Sequence, residues 1–394
     1  MFDAIYGENY HISMKKLIFQ KIFKDVIVFF IVLSLSLSVI VWVIQAVNFL
    51  DYISEDGHGF KVYFSYTLLN FPKIFTRLFL VTLFISVIYI IIRYEENNEL
   101  ILFWMLGISK IQFIKNVIKF SIFFLILQIL LTSIISPMAQ DSARSFIRSS
   151  SIDLFPSLIK KKKFIDTVSN LTIYVDEISK NKKIMSNIFI KDQSDSDSKF
   201  QIILAKEGQL INIKNNNYLL LKNGEIFNSD GNKSNSFKFE NFEFNLSNFV
   251  TKTTTIPKIQ ETETTSLIKC IINNFYNKNL KIDSKKLVCN KEGSKNISEE
   301  LLKRFYLPLY MPLITLIGCL IILKTKEEST YQNYKILIFS FGFMVIFLSE
   351  ASIKYVGGSL INNLLFILIP LVLYSFMYLF LMNKLNYKIR GAND

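Results

Sequence analysis

Apolar residues gather into long unbroken blocks towards both ends of the chain and into short alternating runs in its middle. Crossing the hydrocarbon core takes about 20 apolar residues. Six blocks reach that length, at roughly 26–48, 70–92, 113–136, 305–324, 334–355 and 361–383, and a long hydrophilic stretch, 137–300, separates the third from the fourth. The pattern predicts an α-helical membrane protein of six transmembrane helices with an extracytoplasmic domain inserted between helices 3 and 4. Residues 1–136 form the N-terminal membrane half, 137–300 the inserted domain with a helical connector, and 301–394 the C-terminal half. The first block lacks a small-residue cleavage site and exceeds a signal-peptide core, so it stays as a helix. Met14, followed at once by Lys15 and Lys16, is an alternative start to Met1, with residues 1–13 then a dispensable leader.

Within the inserted domain the period changes. Leu171, Ile173 and Val175 alternate with Thr172, Tyr174 and Asp176, and Phe200, Ile202 and Leu204 alternate likewise. Phe237 and Phe239 are followed by Phe242, Phe244 and Leu246 after a one-residue slip at Asn241. Period two marks half-buried strands, and the slip predicts a bulge. Glu207-Gly208, Asn215 to Asn217, Asn223-Gly224 and Asp230-Gly231 read as turns. Serial short strands of this kind predict a sandwich or an open β-jelly-roll. Phe237, Phe239 and Phe244 are candidates to line a lipid groove; filling a closed core is the competing reading for each.

Composition agrees with a membrane class: 51% of residues are hydrophobic and 37 are Phe. The net charge of +13 has a topological cause, because Lys and Arg in short flanks resist translocation. Lys15, Lys16, Lys21 and Lys24 precede the first helix, Arg93, Lys110 and Lys115 lie between the second and third, Lys324 and Lys326 follow the fourth, and Lys384, Lys388 and Arg390 end the chain. All fall on one side if both termini are cytoplasmic, which puts the β-domain outside, and nucleic-acid binding is not needed to explain the charge. The run Lys160 to Lys163 is no objection, since long domains escape the rule. Cys319 belongs to the fourth helix, while Cys270 and Cys289 fall in the external region, where they either pair as a disulfide or remain free thiols. His11 and His58 are the only histidines and lie far from either cysteine, which disfavours a metal site. The external domain holds no histidine and no nucleophile constellation.

Between the second and third helices stands "RYEENNELILFWMLGISKIQF", residues 93–113. Asn97 or Asn98 suits an N-cap and Glu99 the positive helix end. Gly107 suits the left-handed residue that ends a helix, and Ser109 with Gln112 has capping-box spacing. A short cytoplasmic helix at about 97–107 follows. Being apolar on nearly every face, it must be covered, and lipid headgroups or another protein are the available covers. The two readings are an interfacial anchor and a coupling helix that carries Glu99, Phe103, Trp104 and Gly107 to a soluble partner. The chain holds no G-x-x-x-x-G-K-[ST] loop, so energy for uphill work would come from another subunit.

These segments resemble the LptF/LptG (YjgP/YjgQ) family of lipopolysaccharide export permeases over almost the whole chain from about Met14. "NNELILFWMLGISK" resembles the family's coupling helix, "LAKEGQL" with "LLLKNGEIF" its jelly-roll strands, and "SIKYVGG", residues 352–358, the outer end of the fifth helix in its LptF branch. The resemblance implies a non-catalytic ABC-transporter permease of the bacterial inner membrane, without a cofactor of its own. Its expected partners are an LptG-like permease, an LptB-like ATPase dimer that binds ATP, an LptC-like bridge protein and lipopolysaccharide. Candidate phosphate contacts are Lys73, Arg77, Arg304 and Lys354, each near an external helix end; snorkelling to ordinary headgroups competes for each. For Lys354, pairing with Glu350 competes too. One departure stands out: where the LptF pattern carries bases at the outer end of the first helix, "IQAVNFL" offers only Gln45 and Asn48. The alternative from a different class is a membrane-anchored scaffold or sensor with a ligand-binding β-domain.

Overall fold

The structure is a computed structural model that describes residues 2–50, 60–150, 161–168, 170–179, 184–196, 199–213, 216–230, 234–246, 258–276, 289, 293–355 and 360–390. Gly357 and Gly358, and the turn residues Asn215 and Gly231, lie outside them. The chain divides into two compact units: residues 1–42, 71–139 and 259–394, and residues 43–70 and 140–258.

Long apolar runs become helices because a helix satisfies every backbone polar group within one segment, the condition hydrocarbon imposes. The helices before the sheet are α1 (Phe2–Asn48), α2 (Phe60–Leu69), α3 (Phe71–Glu96), α4 (Glu99–Met105), α5 (Lys110–Leu130) and α6 (Ser136–Ser150). A five-residue π-helical segment, Leu131–Ile135, joins α5 to α6. After the sheet come α7 (Thr264–Tyr276), α8 (Ser294–Phe305), α9 (Tyr310–Cys319), α10 (Tyr331–Ser352) and α11 (Leu360–Arg390). Among the described residues six helical stretches are long and apolar enough to cross a membrane, as expected. In the first unit α9 is central and packs on α3, α5, α10 and α11, with Met311, Ile314, Leu316, Ile317 and Cys319 fully buried. Gly342 of α10 lets that helix close on α3: a Cβ there would overlap the Phe84 ring.

The second unit holds a six-stranded antiparallel sheet in simple sequence order: β1 (Phe164–Val168), β2 (Leu171–Ile178), β3 (Ile184–Ser196), β4 (Lys199–Ile213), β5 (Asn216–Asp230) and β6 (Ser234–Asn245). Its strands run longer than the expected short ones, because Glu207-Gly208 and Asn223-Gly224 are not turns. Both lie mid-strand, in β4 and β5. The bulge expected at Asn241 is absent too, since β6 keeps one uninterrupted register against β5. The slip belongs to a feature shared by five strands. The ladders skip one row, Asp176, Asn187, Lys206, Asn223 and Glu240, while pairing resumes in register on both sides of it. Asn187 and Asn223 in that row have a left-handed φ of 51°, which Asn tolerates better than most residues.

The row is a crease. Side chains alternate along a strand, yet Leu171, Ile173 and Val175 are buried before the crease in β2, whereas Ile178, of opposite parity, packs on the same core after it. Each strand makes the same step: Val-Asp-Glu-Ile at 175–178, Met-Ser-Asn-Ile at 185–188, Ala-Lys-Glu-Gly at 205–208, Leu-Lys-Asn-Gly at 221–224 and Phe-Glu-Asn-Phe at 239–242. Two successive polar residues stay outside and the apolar faces of both halves turn onto one interior, a single cluster running from Ile165 to Leu246. Glycine is needed inside the fold. A Cβ at Gly208 would overlap Ile188, and one at Gly224 the Leu204 carbonyl and the Phe239 ring. The domain is thus jelly-roll-like, made from one folded sheet.

Candidate functional site

Two regions of the first unit and the interior of the sheet gather the residues singled out by sequence. At one end of the helical bundle lies α4. Asn98 occupies its N-cap position, but with φ of 61° and no side-chain cap, so the expected cap is backbone geometry only. Gly107 ends the turn with φ of 72°, and Ser109 caps α5 by accepting the Gln112 N–H at 3.1 Å.

The helix is covered in part by its own chain, contrary to the expectation that only lipid or a partner was available. Leu100 and Phe103 are buried, and Phe103 meets the rings of Phe19, Tyr94 and Phe113 at 6.0–6.4 Å. Phe103 is therefore a packing residue here. Trp104 is half-buried, edge-on to Phe113 and under the Lys110 ammonium at 5.6 Å. Glu99 pairs with Lys21 of α1 at 3.1 Å, and Lys15 donates to the Gly107 carbonyl at 3.1 Å. Tyr94 donates to Asp25 at 2.7 Å, tying α3 to α1 at the same place. What remains outward is Ile101, Leu102 and Met105, the last 77% exposed.

Neighbouring contacts converge on the same end. Lys110 donates to the Ile322 carbonyl at 2.9 Å, the Lys326 N–H donates to Glu95 at 3.0 Å, and Lys335 pairs with Glu96 at 2.9 Å. Of the bases counted from sequence as one flank, Lys15, Lys21, Lys110 and Lys326 make contacts at this end of the bundle.

At the other end, the four candidate phosphate contacts separate. Arg77 is exposed on α3, one turn beyond half-buried Lys73. Lys354 is exposed in the 3-10 turn Ile353–Tyr355, and Glu350 is exposed without an ion pair to it. Arg304 contradicts its expected role. It is 2% exposed, and its guanidinium donates to Glu300 at 3.1 Å, to the Thr262 and Gln260 carbonyls at 3.0 and 3.1 Å, and to the Thr264 hydroxyl at 2.8 Å. Arginine offers five N–H donors in a rigid fork, and here the protein itself takes four of them. Thr264 in turn donates to the Ser133 carbonyl, and Thr132 to the Arg304 carbonyl at 2.9 Å, both in the π-helical segment. A π-helical turn shifts the backbone bonding pattern; the Thr264 hydroxyl satisfies the Ser133 carbonyl of that turn, and the Thr132 hydroxyl ties the turn to the Arg304 carbonyl of α8. Neither the latch nor its π-helix was visible in the sequence; the only trace is an Arg four residues after Glu300 beside a polar "TETT" run.

Cys270 and Cys289 form a disulfide, with Cα atoms 5.9 Å apart. Cys270 is fully buried beside Leu267 of α7 and Ile297 of α8, so the bond staples the connector next to the Arg304 latch. Among the described residues no group of His, Cys, Asp or Glu is arranged to hold a metal.

In the sheet, Phe244 is buried in the apolar cluster and Phe239, half-buried against Phe242 at 5.5 Å, packs against that cluster. Phe237 does not join them; it is 56% exposed.

The comparisons with known proteins add the following. The family model described as lipopolysaccharide export system permease LptF/LptG matches residues 20–384. The search of curated proteins finds no match.

Proposed function

Because the chain belongs to the LptF/LptG family of lipopolysaccharide export permeases, we propose that it is the membrane subunit of an ATP-driven exporter whose motor docks on α4. The observation that carries this reading is the two-sidedness of α4. One face is locked to α1, α3 and α5 by Phe103, Glu99 and the Gly107 carbonyl, while Ile101, Leu102 and Met105 stand free. A helix held rigidly to the bundle passes a push on to it, and an exposed apolar knob suits a pocket on another protein. The partners are an LptB-like ATPase dimer at that knob, an LptG-like second permease and an LptC-like bridge protein.

The sheet supplies the other half of the work. Exposing an acyl chain of about a dozen carbons to water costs roughly 10 kcal/mol at about 0.8 kcal/mol per methylene. A lipid therefore leaves the membrane only onto another apolar surface, and the apolar side chains that the creased sheet gathers on one face are the candidate for it. The sheet lies on the external side in this reading. The Cys270–Cys289 disulfide supports that assignment, since such bonds persist in oxidising compartments, and the basic residues gathered around α4 mark the cytoplasmic end. The two termini are then cytoplasmic.

The test is copurification from detergent of wild type and the Leu102→Asp, Met105→Asp double variant. A small ATPase should accompany the wild type and be lost from the variant, whose exposed positions leave the fold intact. Equal recovery of the ATPase with both chains would sink the docking role.

A further inference from the structure

The third span runs helically from Lys110 to Ile147 with a buried proline inside it, Pro137. Proline has no N–H, so the Ser133 carbonyl four residues earlier cannot receive its α-helical bond, and the ring crowds that carbonyl. The helix widens just before it: the Ser136 N–H reaches back to the Leu131 carbonyl, closing the π-helical segment. A donor for Ser133 comes from outside the span, from the Thr264 hydroxyl. Its direction is set by Arg304. A guanidinium only donates, so Thr264 accepts from Arg304 at 2.8 Å and keeps its single hydrogen for Ser133. Thr132 is placed differently. Its one hydrogen has two acceptors at 2.9 Å, the Gln128 carbonyl of its own helix and the Arg304 carbonyl of α8, and it can serve either. Ile134, Ile135 and Met138 are exposed, so they add no packing that would stiffen this stretch.

We propose that the third span is hinged at Pro137 and that the Thr264 hydroxyl is the removable lock of the hinge. With the lock closed, Thr264 holds the Ser133 carbonyl, Thr132 donates to Arg304, and α6 continues α5 in one fixed direction. With the lock open, Thr132 donates to Gln128 inside its own helix, and the span is free to kink at the proline. The Thr132 exchange is even, one hydroxyl–carbonyl bond for another, so opening loses only the bond to Ser133. The two states therefore lie close in free energy, as a switching element requires. A static repair of the proline explains Thr264 but not Thr132, whose hydrogen reaches equally towards a second helix. The lock also joins the two stretches of chain that flank the inserted sheet: Leu131–Ile135 leads towards it, and Thr262 and Thr264 follow it. Displacing either stretch breaks the same bonds and frees the other, a coupling that is reciprocal. The hinge stands on the geometry of the bundle and does not depend on the transport reading.

The experiment is double electron–electron resonance on the full chain in phosphatidylcholine nanodiscs. Nitroxides are attached through Ser145→Cys on α6 paired in turn with Arg77→Cys on α3 and Lys354→Cys, all exposed positions that view the hinge from two directions. Cys270 and Cys289 are bonded to each other and Cys319 is buried, so none of them takes label. Ser145 stands about 12 Å beyond Pro137 at about 1.5 Å per residue, so a kink of about 20° displaces it by about 4 Å. Thr264→Val should spread or shift at least one distance by that amount, while Thr264→Ser, which keeps the hydroxyl, should match the unsubstituted chain. Pro137→Ala gives Ser133 back its N–H donor, so in that background Thr264→Val should change neither distance. If Thr264→Val fails to fold, Thr132→Val is read in its place and should also spread the distances. Unchanged distances in the folded valine variant would leave the bond a static repair and overturn the hinge. The same spread with and without Pro137 would overturn it too, by moving the flexibility elsewhere.

Discussion

Replacing Arg304 with alanine separates two accounts of that residue. If it were a lipid contact, removing it would lower lipid occupancy and spare the fold. The structure predicts the reverse. Arg304→Ala leaves the Glu300 carboxylate, itself 14% exposed, without its cation, and leaves the Thr262 and Gln260 carbonyls without donors. Breaking a buried ion pair from one side costs about 3–5 kcal/mol. Each carbonyl left unsatisfied adds about 1–3 kcal/mol, less what entering water recovers. The sum reaches the lower part of the whole stability of an ordinary domain, about 5–15 kcal/mol, and the damage should concentrate at the junction of α7, α8 and the π-helical segment rather than unfold the entire bundle. The assay is limited proteolysis of the detergent-solubilised chain with a thermal transition read in parallel. Cleavage near residues 259–305 should accelerate and the transition fall by several degrees. Arg304→Lys should rescue only part, since one ammonium cannot replace a four-partner fork, and Arg77→Ala, exposed, should change neither. An Arg304→Ala chain with wild-type proteolysis and melting but reduced lipid capture would refute the latch and restore Arg304 as a substrate contact.

Three further outcomes follow from the geometry. Asn223→Ala should destabilise the sheet by about 1–2 kcal/mol because a Cβ-bearing residue without a polar side chain is strained at φ of 51°, while Asn223→Gly should be nearly neutral; chemical denaturation followed by circular dichroism tests the contrast. Cys270→Ser should cost about 3 kcal/mol for a sequence separation of 19 residues in the chain-entropy model, seen as faster proteolysis of the connector and as loss of the mobility difference between reduced and non-reduced gels. Glu99→Ala should hardly move the melting temperature, since Lys21 is 66% exposed and such pairs contribute about 0–1 kcal/mol, yet it should loosen α4 enough to weaken ATPase copurification; a large stability loss would mean the pair is structural instead.

The sequence was most informative where one segment's own composition decides its state. A span of apolar residues has no alternative to a helix in hydrocarbon, so all six spans were legible, as were the Gly107 stop and the Ser109 cap, which act within a few residues. The crease was half legible. Its sign is the apolar-polar-polar-apolar step repeated in five strands, but Asn223-Gly224 looks identical in a turn and in a folded strand. Which of the two forms depends on whether neighbouring strands make the same step opposite it. Arg304 shows the converse case: a base near a membrane surface suits a phosphate in sequence, and only the positions of Thr262, Gln260 and Glu300 decide that its donors are taken.

By itself, then, the chain's hydrophobic pattern determined six spans, an inserted sheet and the short helix α4 between its stop and cap, because burial in lipid and strand alternation are local demands on local residues. Tertiary structure alone decided which face of α4 is free, that the sheet folds along Asn187 and Asn223, and which bases remain available for a ligand. Those outcomes depend on partners distant in sequence, Lys21 for Glu99 and Gln260 for Arg304, whose approach no single stretch of residues encodes.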